Sequence, residues 1–322
     1  MTDFYSETLK GPHRLLELGN LELELGGVLA GARLAYKTHG SLSPARDNAI
    51  LYPHLYAATP SSLEPTIAAG RALDPERWFV ICPAMLGGGF SSSPSNTDGK
   101  FPELTIGDDV RAQARLLEHL GVDRLALALG FSMGAQQAYE WAVRFPDRVD
   151  RLAPIAGTAR TTAANGLQVS LADEALAAGG LRLHAHVWAS LGLSAELYRS
   201  EAWADAGFTS VGDLVGRLFE DDFGAQHPGN LASTCRKWAR ADVARHTGGD
   251  LAAALGRIGA RTAVVAFSHD QLFPVADCEA DVRLIPGAEL HVIESPWGHW
   301  AFEMTEPARS AFDEHLSALL AR

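Results

Sequence analysis

The sequence is short of cysteine, with three in 322 residues, at positions 82, 235 and 278. Cysteines so few and so widely spaced form neither a disulfide framework nor a zinc site, and their odd number is typical of a reducing compartment. We therefore expect no structural disulfide and no bound metal.

Positive charge is also scarce, since there are 27 Lys and Arg residues against 39 Asp and Glu residues, giving a net charge of −12. This balance argues against a nucleic-acid partner and against an anionic membrane surface. No apolar run is long enough to span a bilayer, and the first residues lack the basic and apolar regions of an export signal. We expect a cytoplasmic protein with no membrane partner.

What the sequence does contain is an alternation of strand-like and helical segments. Residues 21–25 and 33–38 alternate between apolar and polar side chains, which predicts an antiparallel hairpin. Buried strands are predicted at residues 49–52, 78–82, 126–129, 151–155, 262–267 and 290–293. Helical segments between such strands indicate an α/β fold with a mostly parallel sheet flanked by helices. In such a sheet, catalytic groups gather at the carboxyl ends of the strands.

Two stretches in the first half have a clear local pattern. The glycine- and serine-rich residues 87–96 could cradle a phosphate, but no Gly-Lys-Ser/Thr follows and no helix begins there. We therefore prefer a surface loop near the mouth of the site. Further on, Thr105 and Asp108 resemble a capping box at the start of a helix that is predicted to end at Gly121.

The segment from residue 161 to residue 259 differs from the rest, because alanine-rich helical pieces alternate there with glycine breaks. The strand pattern resumes at residue 262, so we interpret the segment as a helical lid inserted between two core strands. The predicted organisation is a first core part at 1–160, the lid at 161–259 and a second core part at 260–322. The aromatic residues of the lid could line a pocket, although we favour the interpretation that they only form the core of the lid. They are Trp188, Tyr198, Trp203, Phe219 and Trp238.

The pattern Gly130-Phe131-Ser132-Met133-Gly134 lies between a predicted strand and a predicted helix. A strand that turns at once into a helix places the central serine in a strained conformation with its hydroxyl exposed, and small flanking residues let the backbone pass close by. This is the pattern of a nucleophile elbow. We predict that Ser132 is a catalytic nucleophile.

A serine nucleophile needs a base, and the base needs an acid to hold its tautomer. Asp270 follows the predicted strand that ends at Phe267, and His299 follows the one that ends at Ile293. The order Ser, Asp, His along the chain is that of the α/β-hydrolase fold. We predict a catalytic triad of Ser132, Asp270 and His299.

Other residues could take these two roles. Asp277 and Asp281 compete for the acid, but they fall inside the next predicted helix. His269 and His291 compete for the base, the first beside the acid and the second within a strand.

The oxyanion hole is expected to use the backbone N–H of Met133, the residue after the nucleophile. A second N–H is expected from residues 53–59, the loop after the predicted strand at 49–52, which we call the oxyanion loop. In that loop Tyr56 is our choice, with Leu55 as the alternative. His54 could pass for a catalytic residue, but we favour a role in shaping the loop.

Taken together, these segments resemble the homoserine O-acetyltransferase family of α/β-hydrolase-fold enzymes, and more closely its shorter hydrolase relatives. The resemblance covers most of the chain outside the lid. Its matching segments are residues 54–58, 101–108, 132–142, 145–149, 159–161 and 270–274. It implies that Leu55, Arg160 and Trp300 are candidates for the substrate pocket.

One position departs from the family. In the acetyltransferases an Asp directly follows the catalytic His and binds the amino group of the acceptor, whereas this chain has Trp300. An indole cannot pair an ammonium as a carboxylate does, although it could offer a cation–π contact. Glu303, one helical turn further on, could substitute.

The sequence thus predicts a serine acyl-transfer enzyme that hydrolyses a small ester, thioester or activated amide. One alternative is an O-acyltransferase that uses acyl-coenzyme A as co-substrate and an acceptor other than homoserine. Another is a non-catalytic small-molecule binder, against which the complete triad argues. We expect a small-molecule acyl substrate and no tightly held cofactor, and we allow for a homodimer.

Overall fold

The computed structural model describes residues 4–321, apart from the side chains of residues 303 and 304. Within these residues the chain forms an eight-stranded sheet with the spatial order β1-β2-β4-β3-β5-β6-β7-β8. The strands are β1 Arg14–Glu22, β2 Val28–His39, β3 Ala49–Leu51, β4 Phe79–Pro83, β5 Leu127–Phe131, β6 Arg151–Ile155, β7 Arg261–Phe267 and β8 Glu289–Ile293. β1 and β2 form the predicted antiparallel hairpin, and β3 to β8 run parallel to one another.

Helices cover both faces of this sheet. They are α1 Glu7–Lys10, α2 Ile106–Leu120, α3 Met133–Arg144, α4 Ala163–Gly192, α5 Ala195–Ser200, α6 Val211–Val215, α7 Asp221–Gly224, α8 Pro228–Ala239, α9 Leu251–Leu255, α10 Val275–Val282, α11 Ala301–Met304 and α12 Glu306–Ala321. Every residue of β3, β4 and β5 is buried, as expected for parallel strands with helices on either side. The predicted fold class, a mostly parallel sheet flanked by helices, is confirmed.

The start and the end of α2 follow the local sequence. The Thr105 hydroxyl accepts a hydrogen bond from the N–H of Asp108, and the Asp108 carboxylate accepts one from the N–H of Thr105. The helix ends at Gly121, which adopts the left-handed conformation common at this position. The capping-box prediction is confirmed.

Helices α4 to α9 lie between β6 and β7, within the 161–259 segment that we call the lid. A fully buried ion pair joins the lid to the core: Nζ of Lys237, on α8, lies 2.6 Å from Oδ2 of Asp109, on α2. The same ammonium donates to the carbonyl of Leu86 at 2.7 Å. An unpaired charge would be strongly unfavourable at this depth, so the pair fixes where α8 sits on the core.

The serine-rich loop is not the surface loop that the sequence suggested. Ser91, Ser92 and Ser93 are buried, and the loop packs along β2. The Ser91 hydroxyl accepts the N–H of Ala35 at 3.0 Å, and the Ser92 hydroxyl accepts the N–H of Arg33 at 2.9 Å. Short polar side chains here satisfy backbone groups of β2, and this is why a polar stretch is buried.

Candidate active site

Ser132 stands between the end of β5 and the start of α3, with φ 58° and ψ −120°. This conformation strains any residue other than glycine. A β-carbon at Gly130 would collide with the backbone of Gly134, and one at Gly134 would collide with the carbonyl of Pro53. The sharp turn therefore depends on glycine at both flanking positions, as the elbow pattern requires.

The structure brings Asp270 and His299 together from the ends of two neighbouring strands, β7 and β8. Nδ1 of His299 lies 2.6 Å from Oδ2 of Asp270. Because a carboxylate only accepts hydrogen bonds, Nδ1 carries the proton, and Nε2 of the neutral ring is left as an acceptor. Oδ1 of Asp270 accepts the N–H groups of Leu272 at 2.8 Å and of Phe273 at 3.0 Å. These bonds hold the carboxylate, and the carboxylate holds the ring.

The competing acids and bases have other partners. Asp281 accepts a backbone N–H from the loop after β6 at 2.7 Å, and burial raises its pKa to about 7. Asp277 is half-buried on α10. His269 is exposed, with Nδ1 facing a backbone carbonyl after β8, and His291 stacks on His315 with ring centroids 4.2 Å apart. These contacts favour Asp270 over the other candidates for the acid, and His299 over the other candidates for the base.

Two aromatic rings enclose the imidazole of His299. Phe131, the residue before Ser132, stacks on it with centroids 4.7 Å apart. Phe273, in the same loop as Asp270, packs on it with centroids 5.5 Å apart. Neither residue was singled out from the sequence, because nothing in the local pattern distinguishes Phe131 from other strand residues or Phe273 from other loop residues. The imidazole packed between them is buried.

Ser132 and His299 both line a cavity of about 310 Å³. The cavity lies between the carboxyl ends of the strands and the lid, where the topology of the sheet predicts a site. Its wall is mainly apolar, with contributions from Leu55, Ala57, Leu218 and Phe223. The lid therefore supplies part of the cavity wall.

Two of the lid tryptophans belong to this wall. Trp188 and Trp238 line the cavity, and their rings stack with centroids 5.5 Å apart. The ring of Trp238 also stacks on that of Phe273 at 5.6 Å. The sequence-based preference for a plain lid core was wrong for these two residues, which are buried and face the cavity at once.

Trp300, the residue after His299, also lines the cavity. Its ring packs against Phe219 of the lid with centroids 4.8 Å apart. A β-carbon at Gly192 would collide with the indole, so this glycine leaves the space that the indole fills. Trp300 is thus an integral part of the cavity wall.

The backbone amides predicted for the oxyanion hole belong to Tyr56 and Met133. Met133 is the first residue of α3, and the first N–H groups of a helix lack intrahelical acceptors. Across residues 4–321, no acceptor is present for either amide. Tyr56 and its neighbour Leu55 line the cavity beside Ser132. Both amides are free to bind an incoming anion, and their role as oxyanion donors stays a prediction.

His54 is buried behind this loop. Its Nδ1 lies 2.8 Å from the carbonyl oxygen of Leu55, and its Nε2 lies 3.0 Å from the amide nitrogen of Met85. Burial lowers the pKa of His54 to about 4. Both ring nitrogens are engaged by the backbone, which agrees with a role in shaping the loop.

The structure corrects the expectation that Arg160 lies in the substrate pocket. Its guanidinium donates to Oδ1 of Asp242 at 2.8 Å and to the carbonyl of Gly249 at 2.9 Å, so it joins the loop after β6 to the end of the lid. Arg217 and Asp222, by contrast, line the cavity, and both are exposed at its rim. No sequence motif marks them, because they lie in a helical stretch without distinctive spacing.

Within residues 4–321, no group of three or more His, Cys, Asp or Glu side chains is arranged to hold a metal ion. The three cysteines are free and buried. No helix in the same part of the chain has both the length and the apolar character needed to cross a membrane.

Comparison with known proteins matches residues 48–304 to the α/β hydrolase fold family. An ethyl acetate hydrolase from Pseudomonas veronii is 41% identical over 99% of both chains. A homoserine O-acetyltransferase from Gluconobacter oxydans is 34% identical over 92% of this chain and 90% of its own. The solved structure of an acetylester hydrolase from Corynebacterium glutamicum has a TM-score of 0.97 and 41% identity, covering 99% of each chain.

These two hydrolases are more similar to the chain than the acetyltransferase is, over nearly its whole length. The resemblance to the acetyltransferase family, and within it to the hydrolase branch, is therefore confirmed. The chain belongs to the α/β hydrolase fold family and is an enzyme of the hydrolase type.

Proposed function

We propose that this enzyme hydrolyses esters of short-chain acids through an acyl intermediate on Ser132. The observation that carries the proposal is that Ser132 and His299 line one cavity while the buried carboxylate of Asp270 holds the imidazole. The similar proteins named as an ethyl acetate hydrolase and an acetylester hydrolase support a short acyl group.

The reaction has two halves. In the first, Nε2 of His299 takes the hydroxyl proton of Ser132 while Oγ bonds to the ester carbonyl carbon, and the carbonyl electron pair moves onto oxygen. The tetrahedral intermediate then expels the alcohol, which receives the proton from His299 and leaves an acyl-Ser132. In the second half a water molecule gives a proton to His299 and attacks the acyl carbon. The second tetrahedral intermediate then releases the acid by breaking the bond to Oγ of Ser132, which takes the proton back from His299.

Negative charge on the carbonyl oxygen requires donors that are already in place. The free amides of Tyr56 and Met133 would supply two hydrogen bonds. Met133 begins α3, so the positive end of that helix dipole acts on the same oxygen. This arrangement stabilises charge that appears only as the reaction proceeds.

The acceptor in the second half is water in this proposal, and Trp300 is the main reason. A zwitterionic acceptor such as homoserine loses hydration on entering the cavity, and an unpaired charge is strongly unfavourable there. An indole lines the cavity where the acetyltransferases have a carboxylate. The side chain of Glu303, the substitute considered from the sequence, lies outside the described residues.

A second candidate function, acyl transfer from acyl-coenzyme A to an alcohol, is favoured by the two charges at the cavity rim. Arg217 and Asp222 could pair the carboxylate and the ammonium of an amino acid. Each already has a partner, since Arg217 lies 3.3 Å from Asp213 and Asp222 accepts from Gln226 at 2.9 Å. Recruiting them would break these contacts, so we rank transfer second.

The nucleophile is tested by mass spectrometry of the enzyme mixed with short acyl esters. The wild type is expected to gain one acyl group on Ser132, and Ser132→Ala is expected to gain none and to lose several orders of magnitude in kcat. Ser62→Ala is the matched control, because Ser62 lines the same cavity outside the elbow. Hydrolysis that survives in Ser132→Ala would refute the mechanism, and a wild type without turnover on any ester would favour a binder.

The acceptor is tested by release of free coenzyme A from acetyl-coenzyme A. We expect release with homoserine to be no faster than with water alone. Faster release with homoserine that falls in Asp222→Asn would establish the transferase and assign the rim charges to its acceptor.

A further inference from the structure

The phenol of Tyr56 extends from the oxyanion loop of the core into the lid. Its hydroxyl lies 2.8 Å from Nε2 of His184 and 3.3 Å from Sγ of Cys235. Its ring packs against Trp188 with centroids 5.1 Å apart. These three partners all belong to the lid, so the side chain of Tyr56 connects the lid to the loop that carries an oxyanion amide.

His184 presents a defined protonation pattern to this phenol. Its Nδ1 lies 2.7 Å from the carbonyl oxygen of Ala172, which only accepts, so Nδ1 carries a proton. The indole N–H of Trp188 donates to Nε2 at 2.9 Å, so Nε2 is bare. The Tyr56 hydroxyl, at 2.8 Å, shares the single lone pair of this nitrogen with the indole, and its other acceptor is the carbonyl of Leu231, also in the lid, at 3.5 Å. His184 is fully buried, and burial lowers its pKa, which favours this neutral ring.

The loop itself needs to be held. Ala57, the residue after Tyr56, has φ 57°, a strained conformation for alanine. From the core side, Nδ1 of His54 donates to the carbonyl of Leu55. From the lid side, Gln226 donates to the carbonyl of Ala57 at 2.9 Å. The contact with His184 is thus one of several that oppose relaxation of a strained turn.

We propose that His184 is a positioning residue for catalysis, which holds the phenol of Tyr56 and thereby aims the Tyr56 amide at the oxyanion. The inference rests on the proposed acyl-Ser132 mechanism. An oxyanion donor acts at about 2.7–3.1 Å, so a shift of the loop by about 1 Å weakens it without closing the cavity. The consequence is a role for a lid residue in the transition state rather than in substrate binding.

The decisive variant is Tyr56→Phe, which keeps the ring packing and removes the hydroxyl. The matched control is Tyr198→Phe: its hydroxyl donates to the carbonyl of Ala189, also on α4, at 2.8 Å, and it does not line the cavity. The measurements are kcat and KM for a short acyl ester, and the inhibition constant of a trifluoromethyl ketone. This ketone forms a tetrahedral oxyanion with a catalytic serine, so it reports on the oxyanion donors directly.

For Tyr56→Phe we expect kcat to fall about tenfold and KM to stay within about twofold of the wild type. This fall in kcat is smaller than the one caused by removing an oxyanion donor altogether. The inhibition constant is expected to rise by the same factor, and Tyr198→Phe is expected to change neither. His184→Gln, whose Oε1 can accept from Tyr56 in place of Nε2, is expected to retain more of kcat than His184→Leu.

Two results would overturn the inference: kcat and the inhibition constant unchanged in Tyr56→Phe, or a loss that falls entirely on KM. Tyr56→Phe decides the question even where His184→Leu does not fold. Hydrolysis that survives in Ser132→Ala would instead refute the proposed mechanism itself, so the two failures are distinguishable.

Discussion

The buried ring of His54 makes the stability of the enzyme depend on pH in a defined window. Nδ1 donates to the carbonyl of Leu55, and Nε2 accepts from the N–H of Met85. A second proton on Nε2 would face that N–H and would bring a charge into the interior. Burial is the main reason that the pKa of His54 falls from 6.5 to about 4, with a smaller contribution from the charge of Lys237.

The sign follows from proton binding. Between the unfolded pKa of 6.5 and the folded pKa of about 4, the unfolded chain binds a proton that the native state does not, so the free energy of unfolding falls as the pH falls. The pKa difference, 6.5 − 4, is about 2.5. At about 1.36 kcal/mol per pKa unit, the free energy of unfolding is lower by about 3 kcal/mol once the pH is below 4. At about pH 4.5 the expected loss is about 2.5 kcal/mol.

The assay is urea unfolding at about pH 7.5 and about pH 4.5, for the wild type and for His54→Gln. Glutamine can accept from Met85 near the position of Nε2 and does not titrate. The variant is expected to be less stable at the higher pH, because it loses the bond to Leu55. On acidification the difference from the wild type is expected to shrink by about 2.5 kcal/mol. Ile50→Val, a core change on the preceding strand, is expected to keep a constant difference.

A difference between wild type and His54→Gln that stays the same at both pH values would refute the argument. It would mean that His54 titrates alike in the folded and the unfolded chain, which is incompatible with a neutral ring held between two backbone groups.

Two further changes test the acid of the proposed triad and the ion pair that joins the lid to the core. Asp270→Asn should leave packing nearly intact but lower kcat by several orders of magnitude with a smaller change in KM, because the histidine is then held in the wrong tautomer; the same loss in Asp277→Asn instead would show that the acid is misassigned. Lys237→Met leaves the buried carboxylate of Asp109 without its partner and should cost about 3–5 kcal/mol in urea unfolding, much of it recovered in a double variant with Asp109→Leu; an equally unstable double variant would refute the ion-pair argument.

The sharp turn at Ser132, the proposed nucleophile, could be predicted from the sequence because its determinants are local. The turn at Ser132 requires small residues at Gly130 and Gly134, a strand before and a helix after, all within one short stretch. The same holds for α2, because its capping box and its final Gly121 are both determined by residues at the ends of the helix itself.

Asp270 and His299 could be predicted for a different reason. They lie 29 residues apart, but each follows a parallel strand, and parallel neighbours bring their carboxyl ends to one edge of the sheet. The alternation of strands and helices therefore predicted a contact between residues that are distant in the sequence. The oxyanion amides of Tyr56 and Met133 were chosen by the same logic and remain a prediction.

Only the tertiary structure decided what surrounds these groups. Trp188 and Trp238 are cavity wall as well as lid core, Arg160 binds the end of the lid, and Arg217 with Asp222 occupies the rim. Each of these positions depends on how the lid helices pack against the core, through contacts such as the buried ion pair between Lys237 on α8 and Asp109 on α2.

The contact between Tyr56 and His184 is the extreme case, since 128 residues separate its two members. Helical periodicity shows that a residue faces inward, but it does not show which distant segment meets that face. Local sequence could therefore specify the proposed reacting groups, because a turn or a strand end sets their geometry. The walls of the cavity and the positioning of the oxyanion loop come from packing between segments far apart in the chain, which no local pattern encodes.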